Sequence, residues 1–260
     1  FEDNALGLGF RQSNPANLGM FSFQELIIYL NTDDEDEKQA NINERYGKIY
    51  NSFLLADDGF LLQENDDKTL YIIGGGSSLK GFNWELLRDK NVLSINRAFQ
   101  AVPWAIATFW TDSRFYKWYQ KDIKRFKGIK IACRYSQLYD KDTILVRSTG
   151  GAGVDEYPYH IRAGNNSGFA ALNVGYHLGA NKIYLIGYDM RSEQNATHWH
   201  DGYVTSHNHD IYERAMIKDF ANSQKYYKKL KVKLYNANPD SMLTHIQKCT
   251  LKEAINDSMQ

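Results

Sequence analysis

The 260 residues contain only two cysteines, Cys133 and Cys249. They lie far apart and can build neither a disulfide framework nor a cysteine zinc site, so a reducing, cytoplasmic setting is expected. A net charge is missing too, since 31 Lys and Arg balance 31 Asp and Glu. Dedicated nucleic-acid or anionic-membrane binders normally carry a basic excess, and no nucleic-acid partner is expected. Long apolar runs are also absent. The longest, Ala101 to Trp110, is ten residues with a proline in it, too short for a transmembrane helix. The start, FEDNALGLGFRQSN, lacks a basic stretch followed by an apolar core, and no secretory leader is expected. Aromatics, by contrast, are plentiful, with 18 tyrosines, whose apolar body and polar tip suit both cores and ligand sites.

Residues 1–68 read differently from the rest. An Asn- and Gly-rich start leads to the acidic run Asp33–Glu37, a solvated loop. Tyr46, Ile49, Tyr50, Phe53 and Leu54 then fall at helical spacing. This segment is expected to be a helical N-terminal extension without chemistry of its own. From residue 69 to 260 short apolar runs alternate with helical stretches. The expected strands are Leu70–Ile73, Val92–Ile95, Ala105–Trp110, Ile129–Cys133, Thr143–Val146, Lys182–Ile186 and Val232–Tyr235. Helices are expected over Trp84–Arg88, Ser113–Phe126, Ser167–Leu178 and Ile211–Leu230, the last opened by a capping pair of Asp210 and Glu213. Continuous apolar strands between helices predict an α/β, Rossmann-like, mostly parallel sheet covered by helices on both faces.

Three segments carry chemistry. The first strand runs into Gly74-Gly75-Gly76-Ser77, where a phosphate or ribose can approach the backbone closely. Leu79 stands where a dinucleotide fingerprint needs its third glycine, and Asn96-Arg97 follow the second strand in place of a ribose-binding acid. A second polar segment, Asn165-Asn166-Ser167-Gly168, opens a helix toward the same sheet edge. The third follows Lys182–Ile186: Gly187-Tyr188-Asp189-Met190-Arg191, then a polar loop with His198, His200, His207 and His209. Histidine is the natural general base or metal ligand near neutral pH. No established spacing joins the two His-x-His pairs, so a metal is not favoured. The loop is expected over the Gly74–Ser78 turn.

In the order strand–GGGSSLKGF, strand–INRAF, strand–FWTDSRFY, NNSGFAALNVGYHLGANKIYLIGYDM, histidine loop, helix and KVKLYNANPDSML, residues 69–243 resemble the bacterial family 42 sialyltransferases. They are similar as well to the related domain-of-unknown-function-115 group, which takes in Maf-like, bacterial and phage proteins.

The resemblance implies a glycosyltransferase that uses a nucleotide-activated sugar such as a CMP-sugar, with no obligatory cofactor. Gly74, Gly75, Gly76, Ser77, Asn96, Thr111, Asp112, Ser167 and Asp189 would bind substrate. Arg191 and Tyr203 stand at or near positions where the family steadies the leaving phosphate with tyrosines, and His207, with His200 as competitor, would be the base. The implied partners are the nucleotide sugar and a glycan or protein acceptor, with homo-oligomer formation left open. Two alternatives stand beside this one. A metal-assisted diphosphoryl transferase of the same fold would use the histidines as ligands, and a non-enzymatic nucleotide-binding or interaction protein would use the N-terminal segment.

Overall fold

In the computed structural model, which describes residues 68–133, 143–157, 159–191, 198–200 and 215–257, all five residues of β1 (Thr69–Ile73) are buried. β2 (Val92–Ile95), β3 (Ala107–Trp110) and β7 (Lys182–Ile186) are likewise buried throughout. Strands buried on both sides are mostly apolar, and the few polar residues in these, Thr69, Ser94, Thr108 and Lys182, are buried with the rest, so the segments show no alternation between inside and outside. β4 (Ile129–Cys133), β5 (Thr143–Gly150), β6 (His160–Arg162), β8 (Lys233–Asn236) and β9 (Gln247–Lys248) complete the sheet. Its nine strands run in the order β6-β5-β4-β3-β2-β1-β7-β8-β9, and every pairing is parallel.

The pleat sends alternate residues to two cores. Leu70, Ile72, Leu93, Ile183 and Leu185 meet α3 (Ser167–His177), together with Phe220 and Tyr227. Tyr71, Ile73, Tyr184 and Ile186 instead share a core with Phe99 of α1 (Ala98–Ala101), Phe115 of α2 (Ser113–Ile123) and Ala254. Two further helices, α4 (Ile217–Asp219) and α5 (Ser223–Lys229), precede β8, and α6 (Leu251–Ile255) follows β9. Burying each such Leu or Ile contributes roughly 1.5–3 kcal/mol, so the covered sheet is a rigid platform for the loops at its ends. This is the expected doubly covered Rossmann-like architecture.

The structure differs from expectation in several elements. The strand expected from Ala105 starts at Ala107, because the Ala105 N–H closes a turn on the Val102 carbonyl at 2.9 Å. The single helix expected over Ile211–Leu230 is two among the described residues, α4 and α5, broken around Phe220–Asn222. The break is closed by tighter turn bonds, from the Phe220 N–H to the Ile217 carbonyl at 3.1 Å and from the Ser223 N–H to the Phe220 carbonyl at 2.9 Å. Phe220 itself is wholly buried, edge-on to Phe169 at 5.4 Å and Tyr188 at 6.1 Å. Asp210 and Glu213 lie outside the described residues, as does the N-terminal extension up to residue 67. No α-helix follows the glycine turn; single 3-10 turns do, at Ser77–Leu79 and Trp84–Leu87. Among the described residues no helix is long and apolar enough to cross a membrane.

Candidate functional site

β1 is hydrogen-bonded to β2 on one side and to β7 on the other. The chain therefore builds outward from β1 in one direction, returns, and continues in the other. At such a switch point the connections leaving two neighbouring strands diverge and open a crevice at their carboxyl ends. Here a cleft of about 280 Å³ opens between the Gly74–Gly76 turn after β1 and Gly187–Arg191 after β7.

The turn is held by backbone. The Gly74 N–H donates to the Ile186 carbonyl and the Gly76 N–H to the Gly187 carbonyl, each at 2.8 Å. So close an approach leaves no room for a side chain at Gly76, where a Cβ would lie 2.6 Å from the Gly187 oxygen. Gly187 has φ +72°, and a Cβ there would collide with Leu79. The close packing that a third glycine normally allows is thus supplied from β7, which is how Leu79 is accommodated.

Asp189 is 2% exposed and lies within this framework. Its carboxylate accepts the Ser78 N–H at 2.8 Å, the Ser78 hydroxyl at 2.6 Å and the Asn238 amide at 2.8 Å. The Ser77 hydroxyl reaches it at 3.4 Å. The Ser78 N–H is therefore taken up by Asp189, which ties the glycine turn to the β7 exit and to the segment after β8.

Across the cleft, Asn96 has φ +50° and a buried amide oxygen with no hydrogen-bond partner among the described residues. Thr111 at the end of β3 and Ser167 at the start of α3 share a hydrogen bond of 2.6 Å between their hydroxyls. Asn166 caps α3, accepting the Phe169 N–H at 2.7 Å. Asp219 of α4 braces that turn by accepting the Asn165 N–H at 2.6 Å, although burial pushes its own carboxyl above the usual range. Asp112 caps α2 and is gripped by Arg114 at 2.6 Å; hydrogen bonding to that guanidinium holds its carboxyl below the usual range.

His198, Trp199 and His200 form the wall beside the turn. The Trp199 N–H donates to the Gly75 carbonyl at 3.1 Å, and the His198 ring lies directly over Gly75. The Trp199 ring packs on Trp84 at 5.1 Å. His198 and His200 stack at 5.5 Å.

Of the residues singled out in the sequence, Gly74, Gly75, Gly76, Asn96, Thr111, Asp112, Ser167, Asp189, Arg191 and His200 border one cleft. Ser77 does not border it. Tyr203 and His207 lie outside the described residues. Residues not foreseen there are Arg114, Trp118 and Met216. Trp118 is 41% exposed, with the Arg114 guanidinium 5.9 Å from its ring centre; an exposed Trp on an otherwise amphipathic helix was the available signal. Among the described residues no three metal-ligating side chains come together.

Fold and cleft define a Rossmann-like α/β protein with a polar, glycine-bordered crevice at its switch point. The chain matches no protein-family model and no curated protein. Among solved structures it is similar to the monofunctional alpha-2,3-sialyltransferase Cst-I from Campylobacter jejuni, at 16% identity over 76% of this chain and 85% of that one, with a TM-score of 0.44.

Proposed function

We propose that the protein is a glycosyltransferase that takes its sugar from a nucleotide-activated donor. The observation that carries this reading is the company kept in one cleft: a glycine turn with closely approachable backbone, the unpartnered Asn96 oxygen, the Thr111–Ser167 hydroxyl pair, and Arg191 with His200. The sequence resemblance described above assigns the same positions the same duties. A nucleobase amino group would satisfy the buried Asn96 acceptor, which is costly to leave alone. Thr111, and Asp112 through the lone pairs Arg114 leaves, would seat the rest of the nucleoside. Ser167 and the glycine turn would hold the sugar and phosphate.

In the transfer, an acceptor hydroxyl oxygen forms a bond to the anomeric carbon as the bond from that carbon to the phosphate oxygen breaks. The electron pair leaves with the phosphate, whose growing charge Arg191 neutralises. The acceptor proton goes to a histidine of the loop, His207 on this reading. Asp189, which borders the same cleft, would hold the turn in place for the substrate.

A thermal-shift screen of the full chain against CMP, UDP, GDP and their sugars tests the reading. Stabilisation by one nucleotide series is expected, since binding to the folded state alone raises the melting temperature. A flat response to all of them refutes it.

A further inference from the structure

His200 and His207 were rivals for the role of base, and one hydrogen bond separates them. The Arg97 Nη1 lies 3.2 Å from Nδ1 of His200. A guanidinium has five N–H donors, no lone pair, and keeps its proton in proteins. The contact is a hydrogen bond only if the imidazole nitrogen accepts. Nδ1 is then bare, and in the neutral ring the proton sits on Nε2. A doubly protonated ring would present N–H against N–H.

Arg97 is itself fixed from behind. Its Nε donates to the Gln100 side-chain oxygen at 3.0 Å, and the Gln100 amide donates to Asp122 at 2.9 Å. Its guanidinium stands 5.4 Å from the Tyr119 ring centre. A relay from α2 through α1 therefore ends on one nitrogen of one histidine. The ring is further confined by stacking on His198 and by the Trp199 indole, edge-on at 4.8 Å. Arg97 does not itself border the cleft, whereas His200 does.

We infer that Arg97 is a positioning residue that locks His200 as its Nε2–H tautomer, and that His200 serves the cleft as a hydrogen-bond donor rather than as the proton acceptor. The target of that donor, on the nucleotide-sugar reading on which this part rests, is the phosphate oxygen that receives the electron pair when the anomeric bond breaks. The acceptor's proton then has to leave through a group other than His200. Ground-state tautomer and catalytic role are separable claims, and two measurements address them.

The first is two-bond proton–nitrogen correlation spectroscopy on the full chain with ¹⁵N-labelled histidine, the His200 signals being identified by their loss in His200→Gln. A bare Nδ1 and a protonated Nε2 at pH 7.5 are expected, relaxing to a mixture in Arg97→Met, which keeps the length but not the donor. A protonated Nδ1, or a tautomer unaffected by Arg97→Met, overturns the inference whatever the protein transfers. The second measurement is transfer activity with the donor found in the nucleotide screen. The Gln side chain can donate from roughly the Nε2 position but cannot take up a proton. His200→Gln is therefore expected within about tenfold of the parent, while His200→Ala loses about a hundredfold, the usual effect of removing one such donor. Equal loss in both variants overturns the donor role. Absence of any nucleotide binding removes the phosphate as target and refutes the glycosyltransferase reading as well, leaving the tautomer to be judged by the spectrum alone.

Discussion

The Asp189 carboxylate holds Ser78 twice, by its backbone N–H at 2.8 Å and by its hydroxyl at 2.6 Å, across a separation of 111 residues. Because Asn238 donates to the same carboxylate, one buried side chain joins the β1 turn, the β7 exit and the segment after β8. The first two are the elements between which the cleft opens. The turn that should face a ligand's phosphate is thus set from within by an anion of the protein's own.

Asp189→Ala should leave the buried Asn238 amide without its acceptor, while the exposed Ser78 N–H can turn to water. An orphaned buried group costs about 1–3 kcal/mol, so a loss of that size in urea unfolding is expected. Asp189→Asn should fare little better, because one of its two terminal atoms becomes a donor facing donors. Ser78→Ala removes a single hydroxyl bond and should cost only about 1 kcal/mol. An Asp189→Ala protein within 0.5 kcal/mol of the parent would contradict the clamp.

Gly75 and Gly76 are neighbours with different tolerances. A Cβ at Gly76 would lie 2.5 Å from the Asp189 carboxylate and 2.6 Å from the Gly187 carbonyl, neither of which can retreat. At Gly75 it would meet only the His198 ring, at 2.8 Å, a side chain that can turn aside. Gly76→Ala should therefore lower stability by about 2–4 kcal/mol, in the range of other forced overpacking. Gly75→Ala should stay within about 1 kcal/mol while displacing His198. Comparing the two by chemical denaturation decides it, and equal losses would mean the His198 wall is as rigid as the turn.

Much of this framework was legible in the sequence, and the reasons are physical. The ends of β2, β4 and β7 are legible because strands covered on both faces are near-continuous apolar runs, here interrupted only by Ser94, Lys130 and Lys182. β6 and β9, of three and two residues, are too short to show any period. The break between α4 and α5 has no signal in the sequence, because the apolar spacing continues through Phe220, whose ring packs on Phe169 and Tyr188. In the site, the glycine turn and the polar helix start were visible as local motifs. The Thr111–Ser167 contact spans 56 residues, and the Arg97–His200 contact 103. Pairings at such distances have no local signature. Asp189 was noticed as a polar residue at a strand exit, but its partners Ser78 and Asn238 are brought to it only by the sheet order.

Asn96 offers a clean test of nucleoside binding if the substitution respects the backbone. At φ +50° an alanine would be strained, so Asn96→Ala mixes a folding cost with a binding one. Asn96→Gly removes the amide and relieves the backbone instead. The glycine variant should unfold within about 1 kcal/mol of the parent and bind its nucleotide about 10–100-fold more weakly, as for a lost buried hydrogen bond. Isothermal titration calorimetry with the nucleotide found in the screen measures it. Unchanged affinity would remove Asn96 from the binding surface.

The pH dependence of stability should carry a contribution from the far side of α3. Desolvation holds His177 below its ordinary range, against the opposing pull of the His160 carbonyl and the Asp155 carboxylate. The His177 Nε2–H donates to that carbonyl at 2.7 Å. A histidine whose folded pKa is depressed binds fewer protons folded than unfolded, so stability falls as pH drops. The window opens near the unfolded value of about 6.5 and extends down to the lowered folded value. Glutamine in its place can still donate to the His160 carbonyl but does not titrate. Urea unfolding of the parent and of His177→Gln at pH 7.5, 6.5 and 5.5 should therefore show a shallower decline in the variant, with the two curves converging toward acid. Parallel curves would mean that His177 is protonated as readily in the folded protein as in the unfolded chain.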